Sequence, residues 1–257
     1  MRVTIKSGRE MESMRKAGKV VGKVLSLMKE MAKPGVTTEA LDRAAADLIV
    51  GEGAEVAFKG YLGYPKHVCI SVNEEVVHGI PGGRVLKEGD VVGVDVGAKV
   101  DGYYGDAAVT VPVGKVSAEA ERLIRDTREA LLAGIRAVGP QVRLRDVSGA
   151  IEGYARPRGY GIVEQYVGHG IGQAMHEDPQ IPNYVPRDFP QGGLVLRPGM
   201  AIALEPMLNL GTAEVETLDD GWTVVTKDRA LSAHFEHTVA VTEKGHEVLT
   251  RMDGEAI

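Results

Sequence analysis

Apolar residues recur every three to four positions from Met11 to about Met31, the spacing of a helix with one buried face. Ser7 and Glu10 stand just ahead of it and predict a capping box. Lys33-Pro34-Gly35 stops the run, since proline cannot donate to a helix and glycine accepts turn geometry. A second helix is expected after Thr37 or Thr38, through Leu41, Ala45, Leu48 and Ile49, ending at Gly51. Residues 54–64 read as a loop or short extended piece. From Cys69 to Val77 the chain alternates in strand fashion. Lys87-Glu88-Gly89-Asp90 is a turn before a strong strand, Val91 to Ala98. Asp101-Gly102 then signals a hairpin, and Tyr103 to Val111 is its return strand. Ser117 caps a third helix running to about Val138, and a fourth covers roughly Leu144 to Ala155, closed by Pro157 and Gly159. Further strands are expected over 163–167, 200–208, 213–217, 222–226 and 234–242.

This pattern contains a faint repeat. Leu86-x-x-Gly89 precedes Asp95, and Leu196-x-x-Gly199 precedes Glu205, each pair 110 residues apart. Val36 and Val142, at the starts of two helices, echo each other at a similar offset. Each half thus reads as helix, helix, then strands, with a carboxylate in the same place. No linker rich in Ser, Gly or Pro separates the halves. The expectation is one α+β domain over 1–257, with pseudo-symmetric halves at roughly 10–112 and 117–248.

Composition narrows the function classes. With 257 residues, the chain is long enough to bury a sizeable core. A net charge of −6 argues against nucleic acid as a specific partner, because tracking phosphates needs clustered Lys and Arg. Cys69 is the sole cysteine, so no intrachain disulfide can form, which suits a reducing compartment. No apolar run approaches the roughly 18 residues of a membrane span. The N-terminal stretch lacks the apolar core and cleavage site of a secretory signal. A cytoplasmic location is the expectation.

The candidate chemistry begins in the hairpin. With Asp101-Gly102 as its turn, Asp95 faces Ala108, and Asp106 is its diagonal neighbour on the same face. Like charges so placed repel unless a cation joins them, and their flanks, VVGVDVGA and YGDAAVTV, are too apolar for solvated acids. His169 sits in Gly168-His169-Gly170-Ile171-Gly172, seven residues before His176. Glycines beside a histidine let another group approach closely, so this loop reads either as a metal or catalytic site or as a structural histidine. Glu205 ends an apolar strand and is held extended by Pro206. Glu236 shares a strand face with Thr238, and His237 takes the other. Four buried strand acids with His169 are too many anions for a metal-free core. Oxygen and nitrogen donors without thiolate suit two divalent cations of the Mn, Fe, Co or Zn type, about 3.5–4 Å apart and sharing a water. Hydrolysis of an amide or ester is the reaction class this favours.

At these residues the sequence resembles the type I methionine aminopeptidases. The order Asp, Asp, His, Glu, Glu recurs in GVDVGAKVDGYYGDAA, YVGHGIGQAMHEDPQIPNY, MAIALEPML and SAHFEHTVAVT. The likeness extends through KPGVTTEALD and GYLGYPKHVCISVNEEVVHGIP, from Met11 to about Val248. It implies the two-halved pita-bread fold. It implies that Asp95 chelates one metal, that Asp106 and Glu236 bridge both, and that His169 and Glu205 complete the other. Glu205 would also shuttle a proton. His78 would contact the scissile amide and His176 the carbonyl oxygen. Taken by itself, His78 reads as a plain loop histidine. The resemblance also implies a methionine pocket of Phe58, Tyr61, Tyr64, Cys69, Met175 and Trp222, residues that by themselves read as ordinary core. Bacterial members usually carry an aromatic where Met175 stands and a smaller residue where Phe58 stands. Cys69 is expected buried and inert, with no partnered base. His67, His234, His237 and His246 are expected structural or solvated. The implied substrates are nascent polypeptide N-termini, with transient ribosome contact and a monomeric enzyme.

Three alternatives share the fold. Xaa-Pro peptidases usually carry a sizeable domain ahead of the catalytic one, and only about 60 residues precede the GYP motif here. Type II methionine aminopeptidases carry a helical insertion for which the 36-residue step from His169 to Glu205 leaves no room. A non-catalytic binding protein would typically have lost metal ligands, and all five are present.

Overall fold

A computed structural model describes residues 3–189 and 193–257. Helices α1 (Gly8–Met31) and α2 (Thr38–Gly51) lead into strands β1 (Glu55–Val56), β2 (Cys69–Val72), β3 (Glu75–Val77), β4 (Val91–Val100) and β5 (Tyr103–Pro112). Helices α3 (Ala118–Ala137) and α4 (Leu144–Ala155) follow. Then come β6 (Gly161–Ile162), β7 (Gly168–Gly170), β8 (Glu177–Ile181), β9 (Ala201–Leu204) and β10 (Met207–Asn209). The chain finishes with β11 (Val215–Thr217), β12 (Val224–Thr226), β13 (Ser232–His234), β14 (Glu236–Thr242) and β15 (Gly245–Val248).

The helices start where the sequence says they should. The Ser7 hydroxyl accepts from Glu10 N, and the Glu10 carboxylate accepts from Ser7 N at 2.7 Å. Thr37 and Ser117 cap α2 and α3 in the same one-sided way. The four helices bury Leu25, Met28, Leu41, Leu131, Ile135 and Val147 against Val92, Val94, Val109, Ile202 and Val239 of the strands. This continuous apolar layer supplies the main driving force for folding.

The large sheet runs β1-β4-β5-β14-β9-β7-β8, with β15 added on β14 and β2 on β4. Two smaller sheets, β13-β10-β6 and β11-β12-β3, lie beside it. The starts of α2 and α4 are held by matching backbone contacts. Leu86 N donates to Val36 O as Leu196 N does to Val142 O, each at 2.8 Å. Thr38 N donates to Arg84 O as Leu144 N does to Leu194 O.

Several expected strands are broken, for one reason. The stretch 163–167 is not a strand: β6 pairs in the small sheet, β7 in the large one, and these residues carry the chain between them. The expected 200–208 strand splits at Glu205-Pro206, and the 234–242 strand splits at Phe235, because each crosses between the same two sheets. Cys69–Val77 likewise divides at Asn73, whose φ of 63° turns the chain from β2 in the large sheet to β3 in a small one. The expected strands 213–217 and 222–226 shorten to β11 and β12.

Candidate active site

The register of the large sheet gathers the acids. Asp95 pairs with Ala108, and Gly97 with Asp106. On the other side of β5, Glu236 also pairs with Ala108. Residues paired or two apart share a face, so Asp95, Asp106 and Glu236 project together. Thr238 locks this register by accepting from Asp106 N at 3.0 Å and donating to Asp106 O at 2.8 Å. Ala203 pairs with Thr238 on one side and His169 on the other, which brings β7 into line. Glu205 follows β9 where the strand leaves the large sheet.

The result is a tight cluster. Donor atoms of Asp106, His169 and Glu236 all lie within 4.8 Å of one another, and the three residues are buried. His169 Nε2 is 3.5 Å from Glu205 Oε1. The glycines around His169 are required by close approach. A Cβ on Gly168 would sit 2.3 Å from Ala203 O, and one on Gly170 would sit 2.2 Å from Asp178 O. His169 Nδ1 is engaged by Gly170 O at 2.8 Å, which turns Nε2 toward the acids and fixes its role as the free nitrogen.

Electrostatics mark the cluster as a cation site. Burial, then the Asp106 charge, pushes the Asp95 carboxyl well above the ordinary range. Burial does the same to Glu205 and Glu236 and raises Asp106 to about 7. Burial, then neighbouring His176, lowers His169 to about 4. Asp95 Oδ1, Asp106 Oδ1 and Glu236 Oε1 are shut from solvent and have no hydrogen-bond partner among the described residues. Unpaired buried carboxylate oxygens are costly, and hard oxygen donors beside one imidazole match a divalent metal. The residues therefore fit a metal centre.

A cleft of about 190 Å³ opens on this cluster. The expected residues Phe58, Tyr61, Tyr64, Cys69, Met175 and Trp222 line it, as do His78 and His176. Ala57, Phe58, Tyr64, Cys69 and Met175 pack together as a buried apolar group, with Tyr61 and Trp222 against it. Cys69 pairs with Asp95 across β2 and β4, and burial holds its thiol well above the ordinary range, so it is not a thiolate. His78 has a φ of 61°, a strained value for a side chain of its size. Its ring stands edge-on to Tyr166 and Trp222 at 5.4 and 6.4 Å. Burial lowers it to about 4, so it is neutral near pH 7. The His176 ring lies tilted against His169, centroids 4.3 Å apart, and His176 shares a 2.7 Å hydrogen bond between Nδ1 and Tyr61 Oη.

Sequence reasoning missed part of the wall. Leu62, Tyr166 and Val167 also line the cleft. Tyr166 and Val167 lie on the crossing between β6 and β7, where the expected strand hid their exposure to the site. His234 was expected to be structural or solvated. It is buried and so not solvated, with Nε2 3.9 Å from Glu236 Oε2. His237 binds Thr250 Oγ1 through Nδ1, His246 Nδ1 contacts Val138 O, and His67 Nδ1 meets Asp42 at 2.8 Å, all outside the cleft.

Comparison with known proteins agrees with this geometry. The profile of Metallopeptidase family M24 matches residues 12–243. Methionine aminopeptidase 1 of Bacillus subtilis is 48% identical over 250 residues, covering 97% of this chain and all of the relative. A methionine aminopeptidase of Escherichia coli K12 is 45% identical over 259 residues, covering 100% of this chain and 97% of the relative. The crystal structure of a methionine aminopeptidase from Thermotoga maritima superposes with a TM-score of 0.94 at 46% identity, over 97% of this chain and 100% of that one. A prolidase from Pyrococcus horikoshii superposes at 0.78 with 22% identity and is covered over only 65% of its length, so it shares the pita-bread fold alone. Among the described residues no helix is long and apolar enough to cross a membrane. On the length and identity of these matches, the chain belongs to metallopeptidase family M24 and, within it, to the methionine aminopeptidases.

Proposed function

We propose that this chain removes the N-terminal methionine of nascent polypeptides when the second residue is small. The observation that carries this reading is the junction of two features: an apolar pocket walled by Phe58, Tyr64, Cys69 and Met175 opens directly on the acid and histidine cluster. Such a pocket desolvates an unbranched thioether at little cost and strands a charged side chain.

In this reading Asp95, Asp106, His169, Glu205 and Glu236 hold two divalent cations of the Mn, Fe, Co or Zn type. Asp95 would serve one and His169 with Glu205 the other, and Asp106 and Glu236 would contribute to holding both. Bound there, such ions would supply Lewis acidity and make a water in the cleft easier to deprotonate. The chain's own groups then do the rest. The free α-amine of the substrate sits against the carboxylates, which confines cleavage to the first peptide bond. Glu205 takes a proton from the attacking water at its carboxylate and hands it to the departing amine. His78, neutral and held in one backbone conformation, donates to the scissile amide. His176, oriented by Tyr61 through Nδ1, presents Nε2 to the carbonyl oxygen and steadies the charge that develops there. The whole chain, 1–257, acts as one catalytic domain of two related halves. The enzyme this describes is a cytoplasmic monomer that touches the ribosome only in passing.

A panel of tripeptides followed by mass spectrometry tests the reading. Met-Ala-Ser is cut, Ala-Met-Ser and Lys-Ala-Ser stay intact, and Met-Lys and Met-Phe peptides resist. Equal cleavage of Lys-first and Met-first peptides refutes the pocket. Preferred cleavage of Xaa-Pro peptides transfers the chain's activity to the prolidase type.

A further inference from the structure

Ahead of α1, the chain makes contacts that capping a helix does not require. Val3 bridges to Asp178, and Lys6 N donates to Gly199 O at 2.7 Å. The Thr4 hydroxyl and the Lys6 ammonium both donate to Glu177 Oε2, the latter at 2.9 Å. Lys6 and Glu177 are nearly closed to solvent, with side chains 4% and 11% exposed. A buried ion pair is expensive to form, and removing one partner leaves an uncompensated charge. A solvated lysine in a plain leader segment would not be buried this way.

Glu177 is the residue directly after His176. Its other carboxylate oxygen accepts from Ala174 N at 3.2 Å. Lys6 also packs on Gly172 so closely that a Cβ there would sit 2.5 Å from Lys6 Cε. On the opposite flank, Tyr104 N donates to Gly172 O, and Gln173 Nε2 reaches Tyr103 Oη, which itself donates to Glu10 of the capping box. The turn 172–177 is thereby bolted at its base from outside. Its two remaining side chains of consequence, Met175 and His176, point the other way, into the cleft.

We propose that Thr4 and Lys6 are positioning residues for the active site: through Glu177 they set the turn that delivers Met175 and His176 to the substrate. The N-terminal segment is thus a working part of the pocket wall, and among the described residues the contacts of Val3, Thr4 and Lys6 given above fall on Glu177, Asp178, Gly172 and Gly199 and not on a metal ligand. The inference rests on the roles given to Met175 and His176 above, so its test includes a readout independent of activity.

Four proteins are compared: wild type, Thr4→Val, Lys6→Met, and the pair Lys6→Met with Glu177→Gln. Amide hydrogen exchange of 172–177 accelerates in Lys6→Met and Thr4→Val and slows again in the double variant, where no unpaired charge remains. Mn²⁺ affinity by calorimetry stays at the wild-type value in all four. On Met-Ala-Ser, kcat falls about 10- to 100-fold in Lys6→Met, the scale of a misplacement near 1 Å, and KM rises. The double variant recovers part of both. Unchanged exchange at 172–177 overturns the proposal whatever the kinetics. Accelerated exchange with wild-type kcat and KM also overturns it, since the strap would then be purely structural. A wild-type protein inactive on Met-Ala-Ser would instead refute the proposed function, and the exchange data would still decide whether the strap sets the turn.

Discussion

Asp95 and Glu236 face each other across a single methyl group, that of Ala108, which pairs with Asp95 on one edge of β5 and with Glu236 on the other. The small residue leaves the space above it free for whatever the carboxylates share. Replacement by Val fills that space without adding charge. Ala108→Val is expected to weaken divalent-metal affinity by about 10- to 100-fold, the cost of disturbing ligand orientation. Isothermal titration of the metal-free protein with Mn²⁺ reads this directly. An unchanged dissociation constant would show that the two acids do not serve one centre.

Glu205→Ala removes a proposed ligand and the proposed proton carrier together. Turnover on Met-Ala-Ser is expected to fall by at least ~100-fold. The metal-free fold should survive, because burial already disfavours the Glu205 charge. Circular dichroism and tripeptide assay in saturating metal check both halves, and more than about a tenth of wild-type turnover would remove Glu205 from the mechanism.

His78 stands outside the acid cluster, so His78→Ala should leave metal content unchanged. The rate is expected to drop by roughly 10²–10⁴, the usual size of a positioned polar or acid–base contact. Metal analysis beside the same assay separates the roles. Loss of metal would make His78 a ligand.

The pH response of the metal-free protein follows from burial. Asp106 is raised to about 7, and burial holds Asp95, Glu205 and Glu236 well above their ordinary values. Carboxyls with raised folded pKa values bind more protons folded than unfolded, so stability is lost as pH rises through them. Below about pH 6.5, ordinary for unfolded histidine, the buried neutral His78, His169 and His234 oppose this trend, since their lowered values favour the folded state as pH rises. Above it the histidine contribution fades and that of the carboxyls remains. The melting temperature of chelator-treated protein should therefore fall between pH 6.5 and 8. Added Mn²⁺ should restore more at pH 8 than at pH 6.5, because metal and proton compete for the same oxygens. Differential scanning fluorimetry measures it, and a flat profile would contradict the burial of four uncompensated acids.

Local signals carried far in this chain. The Ser7–Glu10 box, the Ser117 cap and the Asp101-Gly102 hairpin depend on residues a few positions apart, and each formed as the sequence predicts. The hairpin also set Asp95 and Asp106 on one face, since a two-residue turn leaves one register. Leu86 and Leu196, the leucines of the spaced pattern, each donate to the carbonyl of a valine ahead of a helix, Val36 and Val142.

What local spacing could not decide is where strands change sheets. Alternation reports only that a strand has two faces, not which neighbour it pairs with. Around 163–167, at Glu205-Pro206 and at Phe235 the chain leaves one sheet for the other, and His169, Glu205 and Glu236 stand at or just beyond those crossings. The sequence by itself determined which residue types, acids and a histidine in apolar surroundings, had to find partners. The tertiary structure alone decided that strands more than a hundred residues apart would cross at one level. Long-range pairing fixes that crossing, and through it the cluster that Asp106, His169 and Glu236 form.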